Sequence, residues 1–380
     1  MPEFPKKLSQ KLEKRHEDDA FRKLSSPNGL VDFSSNDYLG LSSAPLLKRN
    51  TTKILESANF NNSATGSRLL TGNHSLYEEL ETFLNSFYGF ESSLVFNSGY
   101  DANIGFFSSV PQRGDLIFYD ELVHASIRDG IKMGNAKAYK FKHNSFDSLR
   151  NQIEQSRNQD FQEDIYVVTE SVFSMDGDSP ALIELADFCK QNKLYLIIDE
   201  AHAVGVFDKG LVVENNLQEM VFAKIITFGK ALGCHGAAIL GSKQLKDYLL
   251  NFARSFIYTT ALPPHTVASI LAGHQSLNTE YGQSLIGKLR MNISYFKSMV
   301  QKMEIGHLFL HSDSAIQIAM VEGNTNVKRL SRKLRENGFD IRAIVSPTVS
   351  KGNERLRICL HSFNRKEDIE NILLLIKENG

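Results

Sequence analysis

From about residue 90 the chain alternates short apolar runs with polar or glycine-containing turns and helical stretches. The runs are Ser93–Phe96, Leu116–Tyr119, Ile165–Thr169, Leu194–Ile198, Lys224–Thr227 and Ala237–Leu240. They have strand length, are rich in Val, Ile, Leu, Phe and Tyr, and mostly do not alternate with polar residues. Strands buried on both faces have this pattern. Intervening stretches such as Ser179–Asn192 have helical spacing. Strand–helix–strand order predicts an α/β fold with a mainly parallel central sheet and helices on both faces.

The flanks differ. Leu8, Leu12, Phe21 and Leu24 share one stripe of an expected N-terminal amphipathic helix, which needs a cover, and the turn residues Ser25–Gly29 stop it. A long polar helix is expected around 276–300, with Leu285, Leu289, Ile293 and Phe296 at helical spacing. Beyond it come Ala315–Val321, a helix near Val327–Asn337, Ile341–Ile344, Leu356–Leu360 and a helix Arg365–Glu378. This predicts a smaller α+β unit. The expected division is an N-terminal arm over 1–42, a large domain over 43–278 and a small domain over 279–380.

Composition narrows the function. The chain has 380 residues, 42% of them hydrophobic and 23% charged, enough for a sizeable core and no sign of global disorder. Forty-three Lys and Arg against 44 Asp and Glu leave no basic excess, which argues against a dedicated nucleic-acid binder. Cys189, Cys234 and Cys359 are too few and scattered for a disulfide scaffold or zinc knuckle, and no metal-binding motif is found. No apolar run approaches the ~18 residues of a membrane span. No signal-peptide core follows the start, so a cytoplasmic enzyme is expected.

Ligands of open α/β sheets bind at the carboxyl ends of the strands. Five such ends carry polar residues: Asn97-Ser98-Gly99-Tyr100, Asp120 to His124, Thr169 to Asp178, Asp199-Glu200-Ala201-His202, and Thr227-Phe228-Gly229-Lys230. Ser98-Gly99-Tyr100 turns a strand into a helix start, where free N–H groups suit a phosphate. Alone it is also an ordinary turn. Asp199 closes an apolar strand, so its carboxylate needs a cationic or N–H partner. A protonated pyridine nitrogen or a structural ion pair meets that need. His202 and His124 stand close by, in catalytic or structural roles. Lys230 is either a loop lysine or, desolvated, a Schiff-base former. The Asp-Glu-Ala-His string also occurs in one helicase class, but no phosphate-binding loop accompanies it, and the chain has no G-x-G.

Four segments sharpen this: Asp32 to Leu41, Gly66 to His74, Asp199 to His202, and Thr227 to Gly233. Together they resemble the α-oxoamine synthases, fold type I enzymes that use pyridoxal 5′-phosphate. The likeness runs from about residue 30 to the end. It implies a decarboxylative condensation of an amino acid with an acyl-CoA or acyl-carrier thioester. The expected pair is L-alanine with a pimeloyl thioester. Other members use glycine with acetyl-CoA, glycine with succinyl-CoA, or serine with a long-chain acyl-CoA. A non-catalytic relative would be expected to lack the lysine or the aspartate.

By position, the resemblance makes Lys230 the covalent anchor of the cofactor and general base, and Asp199 the partner of its ring nitrogen. His202 and Ser174 approach the phenolic oxygen, and His124 stacks on the ring. Ser98, Gly99, Tyr100 and Thr227 hold the phosphate. The family is homodimeric with shared sites, so Thr259 and Thr260 complete the partner's phosphate cup. Arg357 binds the amino-acid carboxylate, with Asn36 and Arg22 on the substrate side. One stretch departs. Some pimeloyl-using relatives carry Arg-Pro-Pro before Thr-Val, where this chain has Val345-Ser346-Pro347 before Thr348-Val349. If that arginine reads the acyl chain in those relatives, Arg342 or Arg22 is the expected substitute here.

Overall fold

All six apolar runs form strands of one seven-stranded sheet in the computed structural model, which describes residues 3–24, 29–57, 60–156 and 163–379. The order is Ser92–Phe96, Ala237–Gly241, Ala223–Thr227, Tyr195–Asp199, Ile165–Glu170, Leu116–Asp120, Lys137–Phe141. Ala237–Gly241 runs antiparallel to both neighbours, and the other pairings are parallel. The edge strand Lys137–Phe141 escapes the apolar pattern because only Phe141 on it is buried. Edge strands are commonly charged in this way, which discourages pairing with other chains.

Side chains of the central strands point alternately to two cores. Ile197 packs in one cluster with Phe106 and Phe107 of helix Gly99–Ser109 and Ile127 of helix Ala125–Met133. Leu196 and Ile198 pack in another with Leu149 and Ile153 of helix Phe146–Ser156 and Leu185 of helix Leu182–Gln191. Burying one such side chain stabilises by about 1.5–3 kcal/mol. Helices therefore cover both faces, as the unbroken apolar runs require.

The chain divides into two compact units. The larger comprises residues 36–174 and 178–289 and holds the sheet. The smaller comprises residues 1–35, 175–177 and 290–380. It contains a three-stranded antiparallel sheet in the order Arg342–Ile344, Arg355–Cys359, Ile316–Met320, with helices Asn324–Glu336 and Lys366–Asn379. The segment before residue 36 groups with this unit because Val31–Asp32 pairs in parallel with Phe339–Asp340. Residues 175–177 group there as well, Asp176 being ion-paired with Arg355. Helix Glu280–Lys302 continues through the division at residues 289 and 290.

The N-terminal helix is shorter than its apolar spacing suggests. It spans Lys6–Glu17 and ends where Asp19 adopts φ +48°. Phe21 and Leu24 lie beyond it, and Leu8 and Leu12 are exposed. Phe21 stacks on His16, with ring centroids 4.0 Å apart. Of the turn expected at Ser25 to Gly29, residues 25–28 lie outside the described residues. Among the described residues, no helix is long and apolar enough to cross a membrane.

Candidate active site

The strand ends of the larger unit meet at a cavity of about 270 Å³. Asn36, Ser98, Gly99, Tyr100 and His124 line it. So do Asp199, His202, Thr227 and Lys230, bringing nine of the expected positions together.

The phosphate-side wall follows from local packing. Ser98 caps helix Gly99–Ser109: its Oγ accepts from Asp101 N at 3.0 Å and lies 2.8 Å from Asp101 Oδ2. The hydroxyl is thereby used for capping, while the helix start faces the cavity with its unpaired N–H groups and positive dipole end. Gly99 is required here, because a Cβ would stand 2.5 Å from Thr227 Cγ2. Thr227 Oγ1 is buried and makes no hydrogen bond among the described residues. An orphaned hydroxyl beside helix N–H groups fits a phosphate. Tyr100 is half exposed, and its hydroxyl donates to Asp129 Oδ2 at 2.8 Å.

The opposite wall is acidic and buried. Asp199 ends its strand; its Oδ1 accepts from Ala201 N at 2.9 Å and its Oδ2 from Asn103 Nδ2 at 3.0 Å. Glu170 ends the neighbouring strand in register with Asp199. Burial, reinforced by the Asp199 charge and opposed by Lys230, pushes the Glu170 carboxyl up to about 8. Its Oε1 accepts from His124 N at 2.6 Å. Burial also lowers the His124 pKa, Asp199 opposes this, and Lys230 and Arg128 add to it. An ionised Asp199 beside a second carboxyl favours a cation in the cavity. His202 is buried, with Nδ1 2.7 Å from Tyr38 Oη, which lies 3.2 Å from Asn36 Oδ1. This donor and acceptor set fits a phosphorylated ring with a protonated nitrogen, and Lys230 supplies an amine.

The remaining expected positions are not among these lining residues. Ser174 is half-buried and is not part of the lining. Thr259 and Thr260 also lie outside it; Asn97 Nδ2 donates to Thr259 Oγ1 at 3.0 Å and to Thr260 O at 2.7 Å. Arg357 belongs to the smaller unit, buried on strand Arg355–Cys359, with Nη1 2.9 Å from Cys359 Sγ. Arg22 and Arg342 belong to the same unit and are exposed; Arg342 pairs with Asp340.

Sequence reasoning missed Asn103, Ser126, Glu170 and His235, all in the lining. Glu170 carried the same signal as Asp199, an acid closing an apolar run. Asn103 carried a fainter one, an amide among the buried Ala102, Phe106 and Phe107. His235 follows a turn of no distinct pattern.

Comparison with known proteins adds independent findings. Residues 28–373 match the family model for aminotransferase class I and II. An 8-amino-7-oxononanoate synthase of Emericella nidulans is 40% identical, over 96% of this chain and 93% of that one. A Geotalea daltonii protein of the same name is 37% identical, over 91% and 87%. Among solved structures, a Sphingomonas wittichii serine palmitoyltransferase superposes with TM-score 0.83 at 27% identity, covering 92% of this chain and 86% of that one. An 8-amino-7-oxononanoate synthase from Francisella tularensis superposes with TM-score 0.76 at 29% identity, covering 93% and 98%.

Proposed function

Because the chain belongs to the aminotransferase class I and II family, and within it to the α-oxoamine synthases of the biotin pathway, we propose that it joins L-alanine to a pimeloyl thioester. The products are 8-amino-7-oxononanoate, CO₂ and the free thiol of CoA or a carrier. The enzyme is a pyridoxal 5′-phosphate-dependent acyltransferase. The relatives' shared name supports this choice of substrates over glycine or serine. The observation that carries the site assignment is the convergence of Lys230, Asp199, His202, His124 and the Gly99–Thr227 cradle on one cavity.

When bound, the cofactor supplies an electron sink for negative charge developing at the amino-acid Cα. This chain's residues do the rest. Thr227 and the helix start at Gly99 hold the phosphate. Asp199 would pair with the ring nitrogen and hold its proton in place. His124 would cover one ring face, and His202, oriented by Tyr38, would meet the phenolic oxygen. Lys230 would anchor the cofactor and serve as the general base for the Cα proton, which its amine can also return. Asn36, in the cavity lining, would contact the substrate. Prearranged groups of this kind need little reorganisation during reaction. Ser174, Thr259 and Thr260 keep their family roles in this reading, the two threonines toward a second copy of the chain. Exposed Leu69, Leu70 and Tyr258 give that copy an apolar surface to cover.

A CoA-release assay over a matrix of amino acids and acyl-CoAs tests the substrate choice. Alanine with pimeloyl-CoA is expected to be fastest. Preference for glycine or serine pairs overturns it. Lys230→Ala should lose the visible absorption band of the loaded protein and at least about 10³-fold in turnover, the upper range for a general base combined with lost covalent anchoring.

A further inference from the structure

Asn103 sits on the second turn of helix Gly99–Ser109, 2% exposed. The helix lies close against helix Ala125–Met133, where Gly130 leaves room: a Cβ there would stand 2.8 Å from Asn103 O and 3.0 Å from Phe107 Cβ. That close approach brings Asn103 Nδ2 within 3.0 Å of Ser126 Oγ while the same nitrogen lies 3.0 Å from Asp199 Oδ2. Asn103 Oδ1 is buried and has no hydrogen-bond partner among the described residues. Rotating the amide by a half-turn would set its oxygen against the Asp199 carboxylate, so the observed orientation is the favoured one. An amide placed only to satisfy a core would pair its oxygen too. This one leaves the oxygen bare and spends both protons on two residues of the cavity.

The chain of donors has a direction. Ser126 N lies 3.3 Å from His124 Nδ1, and a backbone N–H can only donate. Nδ1 is therefore an acceptor, and the neutral ring carries its proton on Nε2. Ser126 Oγ, 2.7 Å from Nδ1, accepts from Asn103 and gives its own proton to the ring. At the other end, Asp199 has two N–H donors where Glu170 has His124 N. Two adjacent buried carboxyls do not both hold charge readily. The second donor tilts the charge to Asp199. The raised pKa of Glu170 agrees.

We infer that Asn103 is a positioning residue: it fixes the Asp199 carboxylate as the anion of the site and, through Ser126, ties the His124 ring to the same frame. The inference rests on the cofactor reading of this cavity. It gives Asn103 a role that acts through Asp199 and His124.

The test uses the full chain, loaded with pyridoxal 5′-phosphate and followed by its visible absorbance. Asn103→Leu keeps the side chain's bulk and removes the donor. Asn103→Ala only removes atoms from a helix, so misfolding of the leucine variant does not stop the test. Both are expected to weaken cofactor affinity about tenfold or more, the scale of a lost hydrogen bond to a charged group, and to move the pH midpoint of the visible band. In an Asp199→Ala background, Asn103→Ala should change affinity less than about twofold, because its partner is already gone. Ser126→Ala should move the pH profile with affinity held within about threefold, since it cuts only the His124 arm. Wild-type affinity and pH profile in both Asn103 variants overturn the inference. So does a loss that adds in full to that of Asp199→Ala, which marks a packing role. A wild-type chain that takes up no cofactor defeats the underlying reading instead.

Discussion

Asp199 and Glu200 are neighbours in the chain and opposites in environment. Both carboxylates are buried at the end of the same strand. Glu200 is closed off: Lys224 Nζ lies 2.6 Å from its Oε2, with both side chains 0% exposed. Lys224 also donates to Lys209 O at 2.7 Å and lies over the Tyr88 ring, and Glu200 Oε1 accepts from Val212 N at 3.1 Å. Asp199 faces open volume, is held by amide donors, and has a second carboxyl across the strand pair. Burial alone therefore does not mark a functional acid. The distinction is between an acid neutralised inside the core and one oriented toward a cavity that admits a ligand.

The largest effect that can break this contrast is on stability. Lys224→Met should destabilise the apo chain by about 3–5 kcal/mol, because it leaves Glu200 buried and uncompensated. Burial already lowers the Lys224 pKa, with Glu200 opposing, so the pair holds charge only through mutual attraction. The double variant Lys224→Met with Glu200→Leu should recover most of the loss. Asp199→Asn should cost about 1 kcal/mol or less in stability, yet weaken cofactor binding about tenfold or more. Denaturant midpoints and absorbance titrations measure the two quantities. Equal destabilisation by Lys224→Met and Asp199→Asn would erase the distinction.

Glu200 also shows what the sequence could and could not say. The sheet was legible because strands buried on both faces must be apolar throughout, and Asp199, Thr227 and Lys230 stood out as polar residues closing such runs. The same rule could not separate Asp199 from Glu200. Alternation along a strand sets which face a side chain takes, but Lys224, the closing cation, sits inside the run Lys224–Thr227 and reads as part of a strand. Asn103 was hidden for a related reason. Its role depends on Gly130, 27 positions away, letting two helices touch. The edge strand Lys137–Phe141 and the end of the first helix at Glu17 were missed because exposure permits many sequences there.

A smaller effect sharpens the open side of the contrast. Glu170 has its folded-state pKa raised to about 8, mainly by burial. Its stabilising contribution is fully present below its ordinary value and is lost as pH rises toward 8. Glu170→Gln keeps the shape and the acceptor for His124 N and removes the titration. Relative to this variant, wild-type apo protein should lose roughly 1–3 kcal/mol between pH 4.5 and 8. Cofactor loading should reduce the loss, since a ring cation beside Asp199 relieves the crowded carboxyls. A pH-independent difference between the two proteins would mean that Glu170 and Asp199 share charge freely and that the cavity is not poised for a cation.

The smallest effect concerns a third arrangement, in which one histidine closes two acids. His143 Nδ1 lies 2.9 Å from Asp120 Oδ1, and its Nε2 lies 2.9 Å from Asp178 Oδ2. Burial pulls its pKa down, but hydrogen bonds to both carboxylates lift it to about 10. The charged ring clamps the end of strand Leu116–Asp120 to the segment that follows Glu170, so this cluster supports the cavity without facing it. Because the folded-state pKa is raised, the stability is fully present below the ordinary value of 6.5 and is lost as pH rises through about 10. His143→Asn keeps a donor and cannot titrate. Asp120 retains the N–H donors of Leu122 and Asn144, so this variant should fold. The ring is about one-fifth exposed, which weakens the pairing, and the wild-type advantage over His143→Asn should shrink by only about 1–2 kcal/mol between pH 6.5 and 10. Midpoints of chemical denaturation at pH 6, 8 and 10 give the difference directly. A flat difference would mean that the ring is neutral and a mere hydrogen-bond bridge, and the closed class would then rest on Lys224 and Glu200 alone.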